Sequence, residues 1–351
     1  MYKRQFRKAA EALLFFSHGA VDVEDTTIER HAVLVGSTIP REWLYRSVGE
    51  IREILRDRAT LDTTTGRPFV YVSTDAHALR LFDDESWAAA WKMVNGVRMW
   101  CKDRVTNATI HLGGEFTTGD CHEVVRRLRL LSDSGHLPFN GDFGQGVVAH
   151  IGVLTDGSDW IAERIVTLYP GCLASLDPFH VVEHVVDAAR AALPKAQVKG
   201  VIQRARAALG VRSRRGRTFL RKGNRRLLHK TRRSCMDGSG QRLLDDVLIP
   251  LASTIKRGKK RFKRLLRYVR GNLYRMHYGT LRRRGAQIGS GAMESLHRTG
   301  SQTRLKRAGC RWRPQVAEAI LNLRMLILSG RWNEYWNQPE LAARVALGSA
   351  G

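Results

Sequence analysis

Three carboxylates stand out in a chain whose formal charge is +26: Asp75 in PFVYVSTDA, Asp156 in VVAHIGVLTDGSDWI and Glu294 in IGSGAMESLHRTG. The two aspartates close short apolar runs of strand type, and Glu294 opens a helical stretch, so all three are expected at one edge of a sheet. Ligands collect at the carboxyl ends of neighbouring strands in such sheets. Hard oxygen donors suit Mg²⁺ or Mn²⁺ better than zinc. Two divalent cations held by carboxylates are a common way to break and join phosphodiester bonds. Taken singly, each aspartate also reads as a turn or capping residue, and Glu294 as a first-turn acid favoured by the helix dipole. Their joint placement is what favours a shared cation site.

A second cluster follows the last strand-type run, at Asp177-Pro178-Phe179-His180 with Glu183 and His184 one turn on. Asp177 with Pro178 has the form of an N-cap followed by the first helical residue. Asp177 and His180, three apart, share a face and can brace the site or touch DNA. HVVEH is not HExxH, because its Glu does not follow the first His, which excludes a zinc protease of that type. Five scattered cysteines without CxxC pairing read as reduced thiols.

The elements that must carry these residues fall into four stretches. Residues 1–65 read as a small helical region. RKAAEALLFF and TTIERHAVLVG, joined by SHGAVDVED with Asp25 as N-cap, form either a helix-turn-helix with Thr26–Val35 in a DNA major groove or a simple packed pair. Residues 66–185 change period. Runs PFVYVSTD, KMVNGVRMWCKD, NATIHLGG, GVVAHIGVLTD and GCLASLD read as strands, with helices in DCHEVVRRLRLLSDSG and SDWIAERIVTLYP. This order predicts an α/β fold with a ribonuclease H-like mixed sheet core. Residues 186–285 form a basic, all-helical insertion: from Lys195 to Arg284 there are 29 Lys or Arg against the three acids Asp237, Asp245 and Asp246. Residues 286–351 return to the core with C-terminal helices.

Composition names the partner. With 351 residues and 43% hydrophobic content the chain can bury a substantial core. Its 59 Lys and Arg against 33 Asp and Glu call for an anionic partner, nucleic acid above a membrane surface. Lys259, Lys260, Arg261, Arg304, Lys306, Arg307, Arg311 and Arg313 are the candidate phosphate-backbone contacts. No run is long and apolar enough to span a membrane, since AILNLRMLILSG carries Arg324. A cytoplasmic, nucleoid-associated protein is expected.

The segments VSTDA, LTDGSDWI, SLDPFHVVEH, GSGAMES, RLKRAGCRW and ILNLRMLILSGRWNEYW together resemble a bacterial insertion-sequence DDE transposase of the ISKra type, with Mutator-like relatives. The resemblance spans about residues 65 to 336. It implies that Asp75, Asp156 and Glu294 are the catalytic triad and hold two divalent ions, Mg²⁺ or Mn²⁺. Asp177 and His180 match the D-x-x-H signature that follows the second Asp in the Mutator-like enzymes, and Asp177 is the rival of Asp156 for the middle position. The implied function is binding of terminal inverted repeats in double-stranded DNA, metal-dependent strand cleavage and transfer to target DNA, by a homodimer or larger synaptic assembly. Members of this family generally carry more sequence before the first Asp, so a truncated repeat-recognition module is expected here. The alternatives are a structure-specific nuclease on the same core and a catalytically inactive DNA-binding remnant. Trp312 and Trp332 are candidates for stacking on an unpaired base or, alternatively, for the core.

Overall fold

All five strand-type runs form strands in the computed structural model, which describes residues 3–16, 24–82, 89–211, 238–306 and 308–338. They are β1 Phe69–Phe82, β2 Ala89–Lys102, β3 Thr109–Thr117, β4 His150–Thr155 and β5 Leu173–Leu176. Among the described residues they make a sheet in the order β3-β2-β1-β4-β5. β2 and β3 are antiparallel, with Val97 opposite Glu115, whereas β4 and β5 are parallel, with Thr155 opposite Leu176. The fold is therefore mixed α/β.

β1 runs past its expected end. His77, Leu79 and Leu81 are buried while Ala76, Ala78 and Arg80 between them are less so, and this period of two carries the strand on to Phe82. Asp75 thus lies within a strand rather than at its tip, a correction to the reading from the apolar run alone.

The principal helices are α1 Lys3–Phe16, α2 Asp25–Thr38, α3 Val48–Asp57, α4 Cys121–Asp133, α5 Pro178–Ala192, α6 Lys195–Ala208, α7 Lys259–Gly271, α8 Gly291–Leu296 and α9 Pro314–Leu328. Local chemistry sets their starts. Ser47 and Glu50 form a reciprocal capping box on α3, and the Asp120 carboxylate accepts from the amides of His122 and Glu123 at α4. At α2 the N-cap is Glu24, and Asp25 is the first helical residue instead of the cap. The residues joining α1 to α2, 17–23, lie outside those described, as do Cys235 and Arg307.

The chain divides into two compact units. The first comprises Met1–Arg58, Val72–Val147 and Gly291–Gly351. In it α9 packs against α2 and β3. A side chain at Gly36 of α2 would collide with the backbone of Ala319, and Asn322 donates to the Gly36 carbonyl at 3.0 Å. Glu115 on β3 is fully buried and accepts from Arg41, Arg127 and the Tyr45 hydroxyl. A buried carboxylate persists only when compensated in this way. Burial and the adjacent Glu115 charge together hold the Tyr45 phenol well above its usual range.

The second unit comprises Ala59–Tyr71 and Val148–Ser290. Its core joins Val181, Val185 and Ala189 of α5 to Val201 and Ala205 of α6 and to Phe262, Leu265 and Val269 of α7, with Leu248 and Tyr278 between them. Asp62 is completely buried and accepts from Arg284 at 2.5 Å and 3.0 Å and from the Thr64 amide at 2.9 Å.

Candidate functional site

Asp75 and Glu294 line one cavity of 470 Å³ in the first unit, together with Ala76, His77, Gly291, Ser295, His297, Arg298 and Gln302. Asp75 reaches it from the middle of β1, with its carboxylate about one-third exposed and Oδ1 accepting from the Ala76 amide at 2.7 Å. Glu294 stands exposed in the first turn of α8. Two glycines let that helix approach the sheet. A Cβ on Gly96 of β2 would strike Met293, and one on Gly114 of β3 would crowd Leu296. Arg98 of β2, itself buried, donates to the carbonyl of Ala292 and ties down the turn that carries Glu294. Burial lowers the Arg98 guanidinium to about 10, still charged at neutral pH.

Two histidines back the cavity, and sequence reading did not single them out. His297 Nε2 lies 3.4 Å from Asp75 Oδ2. The His77 and His297 rings meet edge-on at 4.4 Å, with Phe116 5.9 Å from the first and 5.6 Å from the second. His77 Nε2 shares a 2.6 Å hydrogen bond with Ser301 Oγ. Burial pushes His77 down to about 3 and His297 down to about 4, so both rings are neutral at neutral pH. The available signals were the spacing of Glu294 and His297, three apart on a helix, and the alternation that turns His77 inward.

In the second unit Asp156 directly follows β4, as expected. Its Oδ1 accepts from the Ser158 amide at 3.0 Å, and its backbone carbonyl accepts from the Tyr268 hydroxyl at 3.4 Å. Gly157 has φ +104, and a side chain there would run into Tyr268, so glycine is required at this turn. Arg275, 1% exposed, donates to Thr155 Oγ1 at 2.9 Å.

Asp156 Oδ2 also accepts from the Ser158 hydroxyl, at 3.3 Å, and Asp177 differs from Asp156 in being buried, 1% exposed. It caps α5 through the Phe179 amide at 2.7 Å, with Pro178 at the helix start as the sequence predicts. Its Oδ2 accepts from the Ser290 amide at 2.6 Å and the Ser290 hydroxyl at 2.8 Å. Ser290 immediately precedes α8 in the sequence. His180 Nδ1 is 3.9 Å from Asp177 Oδ1, on the shared face that the spacing predicts.

Among the candidate phosphate contacts, Lys259, Lys260 and Arg261 are exposed at the start of α7. Lys263, Arg264, Arg267 and Arg270 are exposed further along that helix, which contains no acid. In the first unit Arg304, Lys306, Arg311 and Arg313 are exposed. The GCRW segment runs beside the end of β1: the Phe82 amide donates to Trp312 O at 2.7 Å and the Trp312 amide to Arg80 O at 3.1 Å. Its alternation turns Cys310 and Trp312 inward and Arg311 and Arg313 outward. Trp312 is 1% exposed and donates through Nε1 to the Leu305 carbonyl, which places it in the core and not on a base. Trp332 is partly exposed, edge-on to Trp336.

This arrangement defines a class: a mixed α/β protein with acidic residues on a strand, a strand end and a helix, set in a strongly basic chain. No family model and no curated protein matches it. Among solved structures, the chain is similar to one described as the Drosophila P element transposase strand transfer complex, at 11% identity and a TM-score of 0.32, covering 92% of this chain and 97% of that one. No described helix is long and apolar enough to cross a membrane.

Proposed function

We propose that this chain is a DDE transposase with a ribonuclease H-like core, which binds the ends of a mobile element and catalyses metal-dependent DNA cleavage and strand transfer. One observation carries the reading. Asp75 and Glu294, remote in sequence, line a single cavity in a protein of formal charge +26. The donor set fits a divalent cation, since it consists of carboxylate oxygens and neutral imidazoles and has no thiolate. Asp75, Asp156 and Glu294 are proposed to hold Mg²⁺ or Mn²⁺. Bound there, the cation supplies Lewis-acid stabilisation of charge at the scissile phosphate.

Other residues support these three. Asp156 is the proposed middle acid, because the Asp177 carboxylate is buried and already accepts three hydrogen bonds. Asp177 is proposed to brace the site through its hold on Ser290, with His180 beside it at the D-x-x-H signature. Lys259, Lys260, Arg261, Arg304, Lys306, Arg311 and Arg313 are proposed to grip the phosphate backbones of repeat and target DNA, in a dimer or larger assembly that pairs two element ends at the nucleoid.

The test begins with the DNA flanking the gene, where terminal inverted repeats and a short target duplication are expected. Duplexes carrying those ends are then incubated with the purified protein and Mg²⁺. Cleavage leaving a 3′-hydroxyl at the repeat boundary is the expected result, falling by at least about 100-fold in Asp75→Asn if its carboxylate supplies about 3 kcal/mol of transition-state stabilisation. Cleavage without any joined product would instead favour a structure-specific nuclease.

A further inference from the structure

The His297 side chain is buried to all but 4%, and neither ring nitrogen makes a hydrogen bond with the described residues. Buried polar groups are satisfied in all but a few cases. The ring is not loosely held. His77 meets its edge, Phe116 lies against it, and Ser301 anchors His77 from the same π-helical segment, His297–Gln302. Single π turns of this kind recur at functional sites because they re-aim side chains. Here Nε2 is held 3.4 Å from Asp75 Oδ2, beside a cavity of 470 Å³ that Glu294 also lines. Two donors on adjacent corners of an octahedral ion, each roughly 2.1–2.2 Å from it, lie roughly 3 Å apart.

We propose that His297 Nε2 and Asp75 Oδ2 are donors to the same divalent cation, and that this nitrogen donor makes the site prefer Mn²⁺ to Mg²⁺. Mg²⁺ selects oxygen donors, so an imidazole nitrogen in the donor set disfavours it relative to a transition ion. This inference rests on the assignment of Asp75 and Glu294 to a cation site.

The test uses the full chain loaded with Mn²⁺ alone. Electron spin-echo spectroscopy reports ¹⁴N coupled to the bound manganese, and competition with Mg²⁺ gives the preference. In the unaltered protein we expect ¹⁴N modulation. In His297→Gln we expect its loss, together with a fall of about tenfold in the Mn²⁺ over Mg²⁺ preference, the scale of effect seen when groups around a metal are changed. His180→Ala should retain the His297 signal. His297→Asn serves if His297→Gln loses the native circular dichroism. Retained modulation and preference in the His297 variant, with Mn²⁺ binding lost in Asp75→Asn, would overturn the inference and leave the cation site standing. Unchanged Mn²⁺ binding in both Asp75→Asn and Glu294→Gln would remove the cation site itself, and the inference with it.

Discussion

Asp177 and Glu294 are both acids near a helix start, yet they do different work. Asp177 is 1% exposed and accepts from two amides and a hydroxyl, so removing its carboxylate strands two buried donors on Ser290 and uncaps the Phe179 amide. Hydrogen bonds to charged groups contribute about 1.5–3 kcal/mol each, and the losses are not additive. Asp177→Ala is therefore expected to lower unfolding free energy by about 3 kcal/mol in urea titration. Glu294→Ala, on an exposed face, should cost less than about 1 kcal/mol. Equal stability of the two variants would contradict the division of roles. The sequence leaves Asp177 as a rival of Asp156 for the middle position, because an aspartate after a strand suits a helix cap and a cation ligand alike. What separates them is the Ser290 partner, far away in the chain. His297 went unread for a related reason: a lone histidine on an apolar helix face carries no sequence mark of what it touches.

At the scale of elements, the loop before β1 is tied to the end of the basic helical region by Asp62 and Arg284. Burial raises the Asp62 carboxyl, but the Arg284 guanidinium and the Thr64 amide outweigh it and bring it from 3.8 down to about 2. A carboxyl lowered on folding contributes stability above its unfolded value, and that contribution is lost as pH falls through the folded value. Denaturant midpoints should therefore decline between about pH 4 and pH 2, with a shallower decline in Asp62→Asn. Parallel slopes for the two proteins would count against the latch. The strands themselves were legible, since β-branched and aromatic runs with turn residues between them located all five. Their ends were less so. β1 continues because His77, Leu79 and Leu81 extend the alternation after the polar STDA, where the apolar run alone stops. Trp312 reads from sequence more readily as a core residue than as a base-stacking one, and its backbone pairing with Arg80 and Phe82 and its burial place it in the core. The π-helical turn at His297–Gln302 has no sequence signature, and within it a side chain at Gly300 would collide with Met325 and crowd Phe116.

For the whole molecule, the net charge of +26 favours a polyanionic partner, and DNA is the proposed one. The exposed cations of α7 are spread along a helix without a single acid, so each phosphate they neutralise releases counterions. The slope of log affinity against log salt should fall by about 0.9 for each phosphate contact removed. Replacing Lys259, Lys260 and Arg261 together by alanine is expected to flatten that slope by about 2–3 in duplex binding titrations. An unchanged slope would take α7 out of the DNA interface. The sign of the partner was plain from composition, whereas the placement of the cations on one acid-free helix face required the fold.

The central claim is that Asp75, Asp156 and Glu294 make this basic α/β protein a strand-transfer enzyme. A purified in vitro reaction with element-end DNA, a target plasmid and Mg²⁺ tests it most directly, by comparing the unaltered chain with Glu294→Ala. Joined product from the unaltered protein and its loss by at least about 100-fold in the variant, corresponding to about 3 kcal/mol of transition-state stabilisation, is the predicted result. Joined product at the unaltered level from Glu294→Ala would contradict it.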